Sequence, residues 1–172
     1  MTAPGAGPGV SLRPMRAGDR DFLYRVYAST RTEELAVVDW SEAEKAAFLE
    51  QQFEAQHGYY QAQFPDAAFQ VIERDGEPIG RLYLDRRADE IRIIDIALLP
   101  AHRRAGIGGA LLREILGEAA AAGKAVRIHV ERNNPALALY HRLGFKEIED
   151  QGVYLLMEWS PARDGKPRVP SS

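Results

Sequence analysis

The chain contains no cysteine. This absence excludes disulfide bonds, thiolate metal sites and a cysteine nucleophile. Long apolar runs are also missing, since no stretch approaches the roughly 20 residues that span a bilayer. The first ten residues, MTAPGAGPGV, lack the basic start and the apolar run of a secretory signal peptide. From these absences we expect a cytoplasmic protein with no membrane partner.

Basic residues are slightly fewer than acidic residues. The chain carries 22 Lys and Arg residues against 25 Asp and Glu residues and has no basic block, so we expect no nucleic-acid partner. A length of 172 residues with 45% hydrophobic residues fits one domain. We predict that this domain spans residues 10–160, between flexible tails at 1–9 and 161–172 that are rich in proline, glycine and serine.

The spacing of apolar residues predicts a mixed sheet with helices packed against it, an α+β (α/β mixed) fold. The predicted order is a strand, two helices, three strands, a helix, a strand, a helix and two strands. Ser41 and Glu44 form a capping box at the start of the second helix, which Pro65 ends. Asn134 is the candidate N-cap of the last helix, with Pro135 as its first residue.

The segment HRRAGIGGALL places glycines where a strand turns into a helix. The first N–H groups of a helix have no internal partner and carry the positive end of its dipole, so they bind phosphate when no side chain blocks the approach. Gly106 and Gly108 would leave that approach open. The Gly-Lys-Ser/Thr of a P-loop is absent, and Leu111 stands where a dinucleotide-binding turn has its third glycine. On these residues alone, a turn that binds no ligand is an equal alternative.

Two motifs together resemble the GNAT superfamily of acyl-CoA-dependent N-acyltransferases. LLPAHRRAGIGGALL matches the family's Arg/Gln-x-x-Gly-x-Gly/Ala after a strand and a proline. VERNNPALALYHRLGF matches its Asn-x-x-Ala-x-x-Leu-Tyr followed by Leu-Gly-Phe, one helix and one strand later. The resemblance runs from about Leu12 to Trp159 and is weak before Asp66. It implies a mixed, mostly antiparallel sheet of about seven strands flanked by about four helices.

The resemblance also implies acetyl-CoA as co-substrate and assigns residues to it. Backbone amides of the first motif would surround the coenzyme A diphosphate, the end of the preceding strand would pair with the pantetheine arm, and an asparagine and a tyrosine of the second motif would contact the coenzyme. By position these residues are Arg103, Arg104, Ala105, Gly106, Ile107, Gly108 and Gly109 in the turn, Ile96, Ala97 and Leu98 in the strand, and Asn133 and Tyr140 in the second motif. The resemblance further implies that the Leu98 amide faces the thioester carbonyl.

Catalysis would transfer an acetyl group to a primary amine by direct attack in a ternary complex. Tyr140 is the candidate acid for the leaving thiolate; a tyrosine that only packs in the core is the alternative. Asp95 is the first candidate base, because a carboxylate in an apolar strand has a raised pKa unless it is partnered, and an acceptor tied to an arginine is an equal alternative. Glu131 ranks second and His129 third.

The acceptor is open between a small-molecule amine and a protein amine. Residues 30–66 depart most from the shared pattern and are predicted to shape the acceptor pocket. We predict no metal, since the sequence shows no two close, well-spaced ligands. A non-catalytic acyl-CoA-binding sensor or scaffold is the alternative function, and the apolar final hairpin VYLLMEW is a candidate homodimer contact.

Overall fold

The computed structural model describes residues 9–161 of the chain. These residues form seven strands and five helices, joined in places by 3-10 turns. The strands are β1 Val10–Pro14, β2 Ala68–Arg74, β3 Glu77–Arg86, β4 Glu90–Leu98, β5 Ala125–Glu131, β6 Lys146–Gln151 and β7 Tyr154–Trp159. The helices are α1 Arg20–Ser29, α2 Thr32–Ala36, α3 Glu42–Gln63, α4 Ile107–Ala122 and α5 Leu137–Leu143.

All seven strands belong to one sheet, in the order β1-β2-β3-β4-β5-β7-β6. Only β4 and β5 run parallel, and every other neighbouring pair is antiparallel. The parallel pair is joined through α4, as the strand–helix–strand pattern predicts. The predicted α+β fold, with a mostly antiparallel sheet of seven strands, is therefore confirmed. The short helix α2 makes five helices where about four were expected.

Local sequence signals account for several helix ends. Ser41 Oγ accepts a hydrogen bond from the Glu44 amide, and the Glu44 carboxylate accepts one from the Ser41 amide, so the predicted capping box is present at the start of α3. That helix ends at Gln63, just before Pro65. Gly123 ends α4 in the left-handed conformation, which is typical of a helix C-cap.

The start of α5 was predicted wrongly. The helix begins at Leu137, with Ala136 as its N-cap, rather than at Pro135. Asn134 instead forms a turn before the helix, in which its side-chain Oδ1 accepts a hydrogen bond from the Ala136 amide at 2.8 Å. Asparagine side chains bond the backbone two residues on as readily as they cap helices, and this local bond decides the position here.

The two faces of the sheet carry separate apolar clusters. The larger cluster packs α4 and α5 against strands from both halves of the sheet, and the smaller one packs α1 and α3 against β2. Burial of apolar surface contributes about 25 cal/mol per Å², so these clusters hold the helices in place. Among the described residues, α3 contributes only Phe53 to the fully buried set.

The ends of the predicted domain lie close to the ends of the described region. Residues 1–8 and 162–172, which include most of both predicted tails, lie outside the described residues. Gly9 belongs to the predicted first tail, but its carbonyl accepts a hydrogen bond from the Asp75 amide at 2.9 Å. Within residues 9–161, no helix combines the length and the apolar character needed to cross a bilayer.

Candidate active site

Strands β4 and β5 separate part-way along their length. Their parallel pairing ends at Ile93 and Ile128, yet β4 continues to Leu98 and β5 to Glu131. The gap holds a cavity of about 70 Å³. Its lining residues are Ile94, Asp95, Ile96, Ile128, His129, Val130, Asn134 and Tyr140. The fold thus brings the end of β4 together with the start of the second sequence motif.

The edge of β4 that faces this gap offers backbone hydrogen-bonding groups. The Leu99 amide donates to the Ile79 carbonyl at 2.8 Å, so Leu99 is a hydrogen-bonded position of the β3–β4 ladder. Alternate residues of an antiparallel strand turn their N–H and C=O groups to the other side, which places those of Leu98 and Ile96 toward the gap. Ala97, the remaining strand residue of the prediction, is opposite Arg81 and has its backbone turned toward β3.

The turn after β4 exposes a row of amides at the N-terminus of α4. Gly106 is the N-cap, with φ of 82°, and Arg104 also has a positive φ, of 63°. Among the described residues, the amides from Arg104 to Gly109 have no hydrogen-bond acceptor. A Cβ built on Gly106 would meet nothing within 4 Å, and one on Gly108 only Leu98 Cδ1 at 4.0 Å. The space beside Gly106 and Gly108 is therefore open, and the unpaired amides of this turn fit a bound diphosphate.

Arg103 differs from its neighbours in this turn. Its amide donates to the Pro100 carbonyl at 3.2 Å and is not free for a ligand. Its guanidinium donates to the Leu98 carbonyl at 2.9 Å and to Ser29 Oγ at 3.2 Å. The side chain therefore ties the turn to β4 and α1.

Tyr140 lies on α5 at the inner wall of the cavity. Its ring packs edge-on against Phe145, with centroids 5.5 Å apart, and the side chain is only 4% exposed. Within the described part of the chain its hydroxyl has no hydrogen-bond partner. Burial raises the pKa of the Tyr140 phenol, and the negative charge of Asp95 adds to the shift. The phenol is therefore protonated at neutral pH.

The two carboxylates predicted as bases are both paired with arginines. Asp95 lines the cavity, but its Oδ2 accepts a hydrogen bond from the buried guanidinium of Arg81. Glu131 is not among the lining residues, and its Oε1 accepts from Arg31 Nη1 at 3.1 Å. For Asp95, the structure thus shows the arginine-tied acceptor that was the alternative to a base.

His129, the third candidate, lines the cavity together with Tyr140. Partial burial lowers the pKa of its imidazole, and the positive charge of Arg92 lowers it further. Arg92 Nη1 lies 3.5 Å from His129 Nδ1. A neutral imidazole at the cavity wall can accept a proton.

The remaining predicted residues lie at the margins of the site. Asn133 is exposed and does not line the cavity, whereas its neighbour Asn134 does. His57 of α3 lies outside the cavity lining and stacks on the Phe53 ring with centroids 5.1 Å apart. In residues 9–161 no group of three or more His, Asp or Glu side chains is placed to hold a metal ion.

Sequence reasoning did not assign roles to Arg81 and Arg31. Arg81 stands between apolar residues of β3, and a charged residue in such a strand signals a buried partner. That signal was available, although the identity of the partner was not. No comparable signal marks Arg31, which lies 100 residues from Glu131 in the chain.

Comparison with known families agrees with this geometry. The model of the acetyltransferase (GNAT) family matches residues 29–145. The chain belongs to the acetyltransferase (GNAT) family. The family predicted from the two motifs is therefore confirmed, and this membership indicates an acyl-CoA-dependent N-acetyltransferase.

Two curated relatives and one solved structure are similar to this GNAT protein. It is 33% identical over 99 residues to an N-alpha-acetyltransferase of Sulfurisphaera tokodaii, a match over 49% of this chain and 59% of that protein. It is 28% identical over 159 residues to a putative [ribosomal protein bS18]-alanine N-acetyltransferase of Bacillus subtilis, over 87% and 93% of the two chains. Its fold is similar to that of PaiA N-acetyltransferase from Thermoplasma acidophilum in complex with coenzyme A, with a TM-score of 0.66, 22% identity and coverage of 88% and 98%.

Proposed function

We propose that this GNAT protein transfers an acetyl group from acetyl-CoA to a primary amine by direct attack in a ternary complex. The observation that carries the proposal is the continuity of the site. The unpaired amides from Arg104 to Gly109 follow the open edge of β4 along the chain, and Ile96 of that edge lines the same cavity as Tyr140. Such a path suits a long ligand with a diphosphate at one end and a reactive group at the other.

The backbone would hold the co-substrate at three points. The amides of residues 104–109 would bind the diphosphate, with the helix dipole favouring its negative charge. The Leu98 amide, which is nearer the turn, would pair with the pantetheine arm. The Ile96 amide would donate to the thioester oxygen as negative charge develops there, because Ile96 lines the same cavity as Tyr140. Acetyl-CoA supplies the activated acetyl group, and the chain's own residues supply position and proton transfer.

Two side chains would move protons during the transfer. His129 would accept a proton from the attacking amine, because its lowered pKa leaves the imidazole neutral at pH 7. As the new C–N bond forms and the C–S bond breaks, Tyr140 would donate its phenolic proton to the departing sulfur. We rank His129 above Asp95 and Glu131, since each of those carboxylates accepts a hydrogen bond from an arginine, whereas Arg92 approaches only His129 Nδ1, at 3.5 Å, and within residues 9–161 nothing bonds Nε2.

The names of the relatives guide the choice of acceptor. One is an N-alpha-acetyltransferase and the other an alanine N-acetyltransferase, so we propose that the acceptor is the N-terminal amine of a polypeptide. Small amines are the second acceptor class. A cytoplasmic location follows from the same proposal, since acceptor chains and acetyl-CoA meet there. The homodimer stays a prediction: of the final hairpin segment, Val153 and Tyr154 are well exposed at 69% and 42%.

Thiol release tests the proposal directly. The purified protein is incubated with acetyl-CoA and an amine, and free coenzyme A is measured with a thiol-reactive dye. The panel contains a peptide with a free N-terminus, the same peptide with that amine blocked and one lysine free, and several small amines. We expect release only with the unblocked peptide. Coenzyme A binding without release from any amine would instead support the sensor or scaffold function.

A further inference from the structure

A buried arginine lies between helix α3 and the cleft. Arg81, in the middle of β3, is 3% exposed. Its Nη2 donates to Gln56 Oε1 of α3 at 2.9 Å and also to Asp95 Oδ2 of β4. The guanidinium lies over the Tyr83 ring, 5.2 Å from the centroid. A charge removed from water to this degree is costly unless it is paired and hydrogen-bonded.

Asp95 has one side in this buried cluster and the other in the cleft. Its side chain is 20% exposed, and the residue lines the cavity that also contains Tyr140. Burial, and then the negative charge of Asp95, raises the pKa of both Tyr140 and Tyr60. The carboxylate therefore acts electrostatically on a phenol in the cleft and on another at the end of α3.

The helix that contacts Arg81 has few other attachments to the sheet. Among the described residues of α3 only Phe53 is fully buried. Gln56 bonds Arg81, and the Tyr60 ring packs edge-on against Tyr83 with centroids 6.1 Å apart. The position of α3 over the sheet thus depends in part on the same guanidinium that holds Asp95.

We infer that Arg81 is a positioning residue for acetyl transfer, which holds the Asp95 carboxylate at the cleft wall beside Tyr140 and links it to α3 through Gln56. This inference rests on the proposed function. Arg81 bonds Asp95 and Gln56 at the same time. A lysine could not make both contacts equally well, because a guanidinium offers several donors in a fixed plane and an ammonium is a single point of charge. Asp95 then orients the site through its charge and does not accept the proton of the amine.

The test compares kcat, and KM for acetyl-CoA, in four variants with the acceptor at saturating concentration. Arg81→Met removes the charge, and Arg81→Lys keeps it without the planar set of donors. Gln56→Ala removes only the link to α3, and Gln52→Ala is the matched control on an exposed position of the same helix. Because loss of one partner of a buried pair can prevent folding, Gln56→Ala and Arg81→Lys carry the test if Arg81→Met does not fold.

We expect kcat to fall about tenfold to a hundredfold in Arg81→Met, because small displacements of reacting groups cost up to about 10²-fold. The fall should be smaller in Arg81→Lys and in Gln56→Ala, and absent in Gln52→Ala, while KM for acetyl-CoA is unchanged throughout. The ring resonances of Tyr140 in NMR spectra should shift in Gln56→Ala and Arg81→Lys and not in Gln52→Ala.

Two results would overturn the inference: an unchanged kcat in folded Arg81→Lys and Gln56→Ala, or an unshifted Tyr140 signal in both. Failure of the proposed function has a different signature. In that case the unsubstituted protein releases no coenzyme A from any amine, while the Tyr140 resonances still report whether Arg81 and Gln56 act on the cleft.

Discussion

One wall of the cleft presents backbone groups, and the other is bordered by charged side chains. The wall from β4 through the glycine turn to α4 presents backbone groups, and its only conformational demand on side chains is the positive φ at Gly106 and Arg104. On the other side of the cleft charged side chains lie in pairs, Arg81 of β3 with Asp95 of β4 and, farther out, Arg31 just before α2 with Glu131 of β5. Backbone groups keep the same hydrogen-bonding pattern when side chains change, so a wall made of them suits a ligand that is the same in every protein of the family. A wall made of side chains changes with the sequence, so it can determine which acceptor binds.

The largest effect should come from distorting the backbone wall. Gly106→Val places a β-branched side chain at φ of 82° and in the space that faces the free amides. We expect no measurable heat on titration with coenzyme A, and a free energy of unfolding lower by about 1–2 kcal/mol. Isothermal calorimetry and urea unfolding measure the two quantities.

Gly117→Ala is the matched control in the same helix. A Cβ there meets nothing within 4 Å, and the backbone is helical. The substitution should leave coenzyme A binding intact and stabilise the protein by about 1 kcal/mol or less. Undiminished binding in Gly106→Val would show that the turn is not the diphosphate site.

The second-largest effect should come from removing the Tyr140 hydroxyl. Tyr140→Phe keeps the ring that packs against Phe145 and removes the hydroxyl at the cavity wall. We expect kcat to fall about 10²–10⁴-fold, the usual contribution of a general acid, with coenzyme A affinity unchanged. Tyr59→Phe, on a residue 57% exposed, is the control. A rate like that of the control would leave Tyr140 with a packing role only.

The third prediction concerns pH and the charged wall. The pKa of His129 is lowered, so its neutral form prevails at pH 7, and protonation as the pH falls removes the proton acceptor. At saturating substrates kcat should therefore fall with decreasing pH, with a midpoint below the ordinary value of about 6.5. In His129→Gln this fall of kcat at low pH should be absent, and kcat at pH 7 should be about 10²-fold lower. An unchanged acidic limb in that variant would return the base assignment to Asp95 or Glu131.

The smallest effect should come from the outer ion pair. Arg31→Ala frees Glu131 and Glu34, both of which bond the guanidinium in the folded chain. Since such partly exposed pairs contribute about 1 kcal/mol or less, we expect KM for the acceptor to change about two- to fivefold at most. KM for acetyl-CoA should not change. Arg74→Ala, at an exposed arginine distant in the chain, is the control, and equal effects of the two would show that Arg31 does not act on the acceptor.

The sequence predicted most of the fold because its signals are local. Ser41 with Glu44, Pro65 and Gly123 each mark a helix end within a few residues of the atoms involved. The error at Asn134 also has a local origin, since one side chain can make two competing hydrogen bonds to nearby amides. Such competition is decided by the path of the chain that follows, which periodicity does not reveal.

By itself, the sequence determined the glycine turn, the helix that follows it and the family, because backbone conformation at Gly106 depends on the residue's own lack of a side chain. Only the tertiary structure decided which candidate bases are engaged. The bond between Arg81 and Asp95 joins two strands, and that between Arg31 and Glu131 joins residues 100 positions apart. Contacts of this kind are set by sheet register and by the packing of helices on the sheet, so no local pattern contains them.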